Sequence, residues 1–171
     1  VSNVAQAISG DGIHANSTNV FVDGNTIDDV FLGNAIALGG NAGNTVTNNR
    51  IATGAGSTIG LDGISIADVT SAVVEDNIIG VNSGAGGIGG RGIFAGVAGG
   101  SATIQRNTMG DADTTIAGNG IETAASTGTT IADNSIQNAG GNGISASDSA
   151  VTVAHNSIDA IAGHGILLNL V

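Results

Sequence analysis

An isoleucine preceded by a small residue returns along this chain at Ile13, Ile36, Ile64, Ile93, Ile121, Ile144 and Ile166, at spacings of 23, 28, 29, 28, 23 and 22 residues. An asparagine column follows 12 to 14 residues later in each unit, at Asn25, Asn49, Asn77, Asn107, Asn134 and Asn156. Three residues before each asparagine stands Val22, Val46, Val74, Ile104, Ile131 or Val153, and two after it Ile27, Ile51, Ile79, Met109, Ile136 or Ile158. Such a period marks a fold made by stacking one unit on the next, because a single unit cannot bury its apolar face alone. Most globular architectures are excluded by this alone.

Apolar positions inside each unit alternate with period two, as in Val20-Phe21-Val22 and Val151-Thr152-Val153. That is the pattern of strands, not helices. The expected fold is therefore all-β: a parallel β-helix solenoid of about seven coils with three short strands per coil. Each strand pairs with its equivalent one coil away, about 4.8 Å along the axis. The coils start near Asp11, Asn34, Asp62, Arg91, Asn119, Asn142 and His164, after a partial coil over residues 1–10, and residues 1–171 form a single segment. Asn3 lies ten residues before Ile13, as Asn156 does before Ile166, so it joins the asparagine column. Asparagine suits a sharp bend because it tolerates the left-handed region, and its amide can donate and accept along a ladder.

Composition agrees with a thin core. There are 30 glycines, three phenylalanines and no Trp, Tyr, Pro or Cys, so small branched side chains must fill the interior. The absence of proline and of a Gly-X-Y period excludes collagen. A net charge of −11 repels nucleic acid and anionic lipid, which removes both as partners. No apolar run reaches membrane-spanning length, so this segment is not expected to insert in a membrane.

The columns Gly-Ile, apolar-X-apolar and Asn-X-Ile, as in Asp62-Gly63-Ile64, Val74 and Asn77-Ile78-Ile79, resemble the right-handed parallel β-helix repeat. Pectate lyases, polygalacturonases, phage tailspikes, autotransporter passengers and filamentous bacterial adhesins share that superfold. The resemblance covers essentially the whole chain and implies the fold far more strongly than any one function.

From the asparagine to the next isoleucine the count varies from 10 to 16, and the longest segments contain residues 53–60, 80–90 and 110–118. The simpler reading makes these Gly-rich stretches tolerated surface insertions. As an alternative, they wall a groove beside the first strand, where the resemblance places substrate in carbohydrate-active relatives. The outward residues there are His14, Ala37, Ser65, Phe94, Glu122, Ser145 and Leu167. His14 and Glu122 stand four coils apart, too far to act on one bond. Glu122, Asp62 and Arg91 are the candidates if the chain is a polysaccharide lyase or hydrolase. The preferred reading makes Asp62 and Arg91 an exposed ion pair worth under about 1 kcal/mol. Arg106 is expected to match charge between Asp76 and Asp133 on the flanking coils.

Asp111 and Asp113, or Asp28 and Asp29, offer oxygen-rich turns for calcium, but neither pair has the ligand count to require it. No cofactor is expected. The chain begins mid-coil and ends after a first strand, so further coils or stacked protomers are the expected partners, with cell-surface glycans beside them. Together these features read as a structural or adhesive stalk, a fibre-forming segment rather than an enzyme, of a secreted or surface-displayed bacterial protein.

Overall fold

The computed structural model describes all residues except 1–3, 6, 41–42, 82–83, 85 and 170–171, so Asn3 lies outside the described residues. The chain winds as a parallel solenoid with no helix among the described residues. First strands, from Ile13–Asn16 to Ile166–Leu168, stack into a seven-stranded sheet. Second strands, from Phe21–Asp23 to Val151–Ala154, form a six-stranded sheet, and third strands, from Val4–Ala5 to Ser157–Asp159, another of seven.

Register follows the sequence columns. Ile13 pairs with Ile36, Ile36 with Ile64, Ile64 with Ile93, Ile93 with Ile121, Ile121 with Ile144, and Ile144 with Ile166. Alternation turns these isoleucines inward, and Ile36, Ile64, Ile93, Ile121 and Ile144 are wholly buried. Burying one such side chain contributes about 1.5–3 kcal/mol. About five turns thus lie in the body of the solenoid with cover on both sides. The expected seven also counted the end rungs, where Ile13 is half-buried and Ile166 is 48 % exposed.

Three strands per coil is too few for the middle of the molecule. Thr58–Ile59, Gly87–Ile88 and Thr115–Ile116 form a fourth, three-stranded sheet inside the stretches read as loops. Ile59, Ile88 and Ile116 are buried, so these segments close the core and are not the tolerated surface insertions that the sequence suggests. Isolated bridges from Val30 to Ile59 and from Ile116 to Ala139 continue this face into the neighbouring coils.

The asparagine ladder is continuous from Asn25 to Asn156. Each backbone N–H donates to the side-chain oxygen one coil further on: Asn25 to Asn49, Asn49 to Asn77, Asn77 to Asn107, Asn107 to Asn134 and Asn134 to Asn156, all at 3.0–3.1 Å. The bend itself is made elsewhere. Left-handed backbone belongs to the preceding residue, Gly24, Asn48, Asp76, Arg106, Asp133 or His155, with φ between 54° and 67°. The ladder asparagines serve as hydrogen-bond hubs inside the bend rather than as its hinge.

Towards the C-terminal end the core changes character. The turn after the first strand buries Val69 and Val97, then Ser126 and Asp148. Asp148 is fully buried and accepts hydrogen bonds from the Thr123 and Thr129 hydroxyls, at 2.6 and 2.9 Å, and from the Ser126 N–H at 2.9 Å. Three donors offset the cost of taking this carboxylate out of water.

Candidate functional site

The residue before each Gly-Ile step occupies one corner of every coil. Asp11, Asn34, Asp62, Arg91, Asn119, Asn142 and His164 therefore form a column beside the outer face of the first-strand sheet. This column is a second ladder, and it runs the other way. Each N–H donates to the side-chain oxygen one coil back: Asn34 to Asp11 at 2.8 Å, Asp62 to Asn34 at 3.1 Å, and Arg91 to Asp62 at 2.8 Å. The series resumes with Asn142 to Asn119 at 2.7 Å and His164 to Asn142 at 2.9 Å. Between them it breaks, because the Arg91 side chain has no acceptor to offer Asn119.

Arg91 uses that position differently. Its guanidinium reaches back to Asp62, with Nε to Oδ1 at 3.1 Å and Nη2 to Oδ2 at 2.8 Å. Nη1 reaches forward to Glu122 Oε1 at 2.8 Å, and Asn119 Nδ2 donates to Glu122 Oε2 at 2.6 Å. The guanidinium also lies 3.8 Å from the centre of the Phe94 ring. Phe94 in turn leans over Gly96, where a Cβ would stand 3.1 Å from the ring. Small residues on the outer face thus make room for a stacked aromatic and its cation.

The sequence brings Asp62, Arg91 and Glu122 to one place, but not as an exposed pair. Only 9 % of the Asp62 side chain is exposed, against 29 % for Arg91 and 30 % for Glu122. Burial works to lower the Arg91 pKa, but hydrogen bonds and charge from Asp62, then Glu122, outweigh it and raise the pKa further. The guanidinium is held permanently charged between two carboxylates. Chemically this is a bracing network over three coils.

The other candidates are dispersed. His14 pairs with Asp11 at 2.9 Å on the first full coil, four rungs from Glu122. Burial raises the Asp11 pKa, yet bonds from Asn34 and His14 prevail and leave it below the usual carboxylate value. A shallow depression of about 220 Å³ lies between His14, Asn16, Gly39, Ser65 and Asp68, on the N-terminal half of the face. On the central stretches, where the alternative reading places a groove, an open depression of about 230 Å³ lies over Thr58, Gly87, Ile88 and Thr115, and neither Glu122 nor Arg91 lines it or the first.

Asp113 donates its N–H to Asp111 Oδ1 at 3.0 Å in a local turn, and Asp113 is exposed. Asp28 is buried and spends Oδ1 on Thr53 N–H, Gly54 N–H and the Ser57 hydroxyl. No group of three or more His, Asp or Glu side chains converges to hold a metal ion among the described residues. Arg106 binds Asp76 at 2.9 Å and Glu75 at 2.6 Å on the coil behind it. It does not bridge to Asp133, which faces His155 at 3.7 Å instead.

Sequence reading missed the second ladder and the Asp148 cluster. The Asp/Asn-Gly-Ile steps at residues 11, 62, 119 and 142 were a usable signal for the ladder. Asp148 had none, since a lone Asp between serines reads as a solvated turn.

A family model described as right handed beta helix region matches residues 11–170. No curated protein and no solved structure matches the chain.

Proposed function

The chain belongs to the right-handed β-helix family, and from that premise we propose that it is a structural or adhesive stalk segment of a secreted or surface-displayed bacterial protein. One observation carries this reading. Glu122, Asp62 and Arg91, the residues best placed for chemistry on the outer face, are consumed by one another. A general acid or base must have a free proton site within reach of a substrate. Here each Glu122 oxygen already accepts a short bond, one from Arg91 and one from Asn119.

Coaxial neighbours, whether further coils or other copies of the repeat, are the partners this reading implies, and glycans on a cell surface are the natural target of an adhesive stalk. The test is a panel of acidic and neutral polysaccharides, scored for cleavage and for binding. The expected result is no turnover by the chain or by its Glu122→Ala variant. Turnover that Glu122→Ala abolishes would overturn the proposal in favour of a polysaccharide lyase or hydrolase.

A further inference from the structure

The turn after the first strand places one buried side chain on each of four successive coils: Val69, Val97, Ser126 and Asp148. Two valines give way to a serine and then to a carboxylate. Ser126 is wholly enclosed, and its Oγ is the only buried side-chain nitrogen or oxygen with no hydrogen-bond partner among the described residues. Folded proteins rarely leave a hydroxyl in that state, because the water it gives up on burial has to be replaced.

The groups around that hydroxyl have lone pairs to spare. Ser126 N–H donates to Asp148 Oδ1 at 2.9 Å, and Ser126 Oγ, a few bonds from that nitrogen, lies beside the same carboxylate. The Thr123 and Thr129 hydroxyls donate to Asp148 Oδ2, at 2.6 and 2.9 Å. Oδ2 therefore receives two donors and Oδ1 one, which leaves Oδ1 able to accept again. Each threonine has spent its single proton on Asp148, and its oxygen can still accept. So Ser126 Oγ holds a proton without an acceptor, next to three oxygens that can take one. Space comes from the change of residue. A serine where two lower coils carry valine omits one methyl group, which is close to the room a water molecule needs.

We propose that this turn is a binding site for a single internal water molecule, held between Ser126 Oγ and Asp148 Oδ1. The water accepts the Ser126 proton, donates one of its own to Asp148 Oδ1, and gives the other to the oxygen of Thr123 or Thr129. That makes three partners, the number typical of a buried water. It completes the solvation of a carboxylate that no cationic side chain reaches, since the ion pairs among the described residues leave Asp148 out. The solenoid core is thus dry where Val69 and Val97 fill the turn and hydrated where Ser126 replaces them.

The direct test is a crystal structure of the chain at a resolution that shows ordered solvent. A water within hydrogen-bond distance of both Ser126 Oγ and Asp148 Oδ1 is expected. A protein atom, a metal ion or empty space beside Oγ overturns the proposal. Ser126→Ala tests it in solution, because the two possibilities have opposite signs. If Oγ anchors a water, its loss is expected to lower the folding equilibrium constant by about fivefold or more in denaturant titration. If Oγ is an orphan, its removal relieves a buried unpaired group, and unchanged or raised stability rejects the water. The unaltered chain is expected to melt at the same temperature in sodium and caesium chloride. A dependence on the cation gives the place to a metal ion and also overturns the proposal.

Discussion

Asn77 shows what a single ladder residue does. Its oxygen accepts both the N–H and the Nδ2 of Asn49, while its own Nδ2 donates to Val46 O, Glu75 O and Asn107 Oδ1 at 2.9–3.0 Å. Truncation leaves several buried backbone groups unpaired, each costing about 1–3 kcal/mol. Asn77→Ala is expected to lower unfolding free energy by about 2–4 kcal/mol in denaturant titration, and Asn156→Ala, half-buried near the end, by clearly less. Equal losses would mean the ladder is not a buried network. This column was legible because one residue type repeats without exception. The bend before it was less plain: Gly24, Asn48, Asp76, Asp133 and His155 are of types that favour positive φ, but the column mixes four of them and includes Arg106, whose type does not.

At the level of the element, the contrast is between the first three strands and the fourth. The first strands repeat a Gly-Ile or Ala-Ile step and alternate cleanly, so pattern alone finds them. The fourth strands are two residues long and embedded in glycine, which reads as loop. Glycine is needed there for a spatial reason: a Cβ on Gly87 would overlap the Thr115 carbonyl oxygen, and one on Gly86 the Ser57 carbonyl oxygen. The useful signal was the lone Ile in each stretch, Ile59, Ile88 and Ile116, all buried. Ile88→Ala is expected to cost about 2–5 kcal/mol by leaving a cavity in the thin core. Thr115→Ala, on the exposed side of the same sheet, is expected to stay within about 0.5 kcal/mol. Thermal or denaturant unfolding of the two variants separates a fourth wall from a tolerated insertion.

Over the whole molecule, the charge balance limits stability. Fourteen carboxylates face three arginines, and Arg91 and Arg106 each serve two carboxylates on adjoining coils. The remaining acids repel one another, chiefly through solvent, where salt screens them within about 8–10 Å. Raising ionic strength from low to physiological is therefore expected to raise the melting temperature. Arg91→Met is expected to steepen that dependence, since it leaves Asp62 and Glu122 uncompensated. A melting temperature that falls with added chloride salt would show that the ion pairs, not the repulsion, dominate. Architecture at this scale was almost fully legible, because the period dictates it. The candidate site was legible in its members and not in its state. Asp62, Arg91 and Glu122 were named from their columns, but burial by Phe94 and the forward reach of Arg91 depend on side-chain directions that spacing does not encode.

The opposed polarity of the two ladders bears on how such a chain can grow. One ladder passes its hydrogen bonds forward and the other passes them back, so an ordinary coil presents matching halves at its top and bottom. A duplicated coil slipped in at such a joint would find both halves waiting, and lengthening by copying would require no redesign. The joint between the coils of Arg91 and Asn119 is the exception. There the backward relay stops and an ordered trio of charges takes over, so an extra copy inserted at that point would part Arg91 from Glu122. The ladders leave length open to change, while that joint, together with the Asp62–Arg91, Arg106–Asp76 and Asp148–Thr123 contacts, fixes the order of the coils around it.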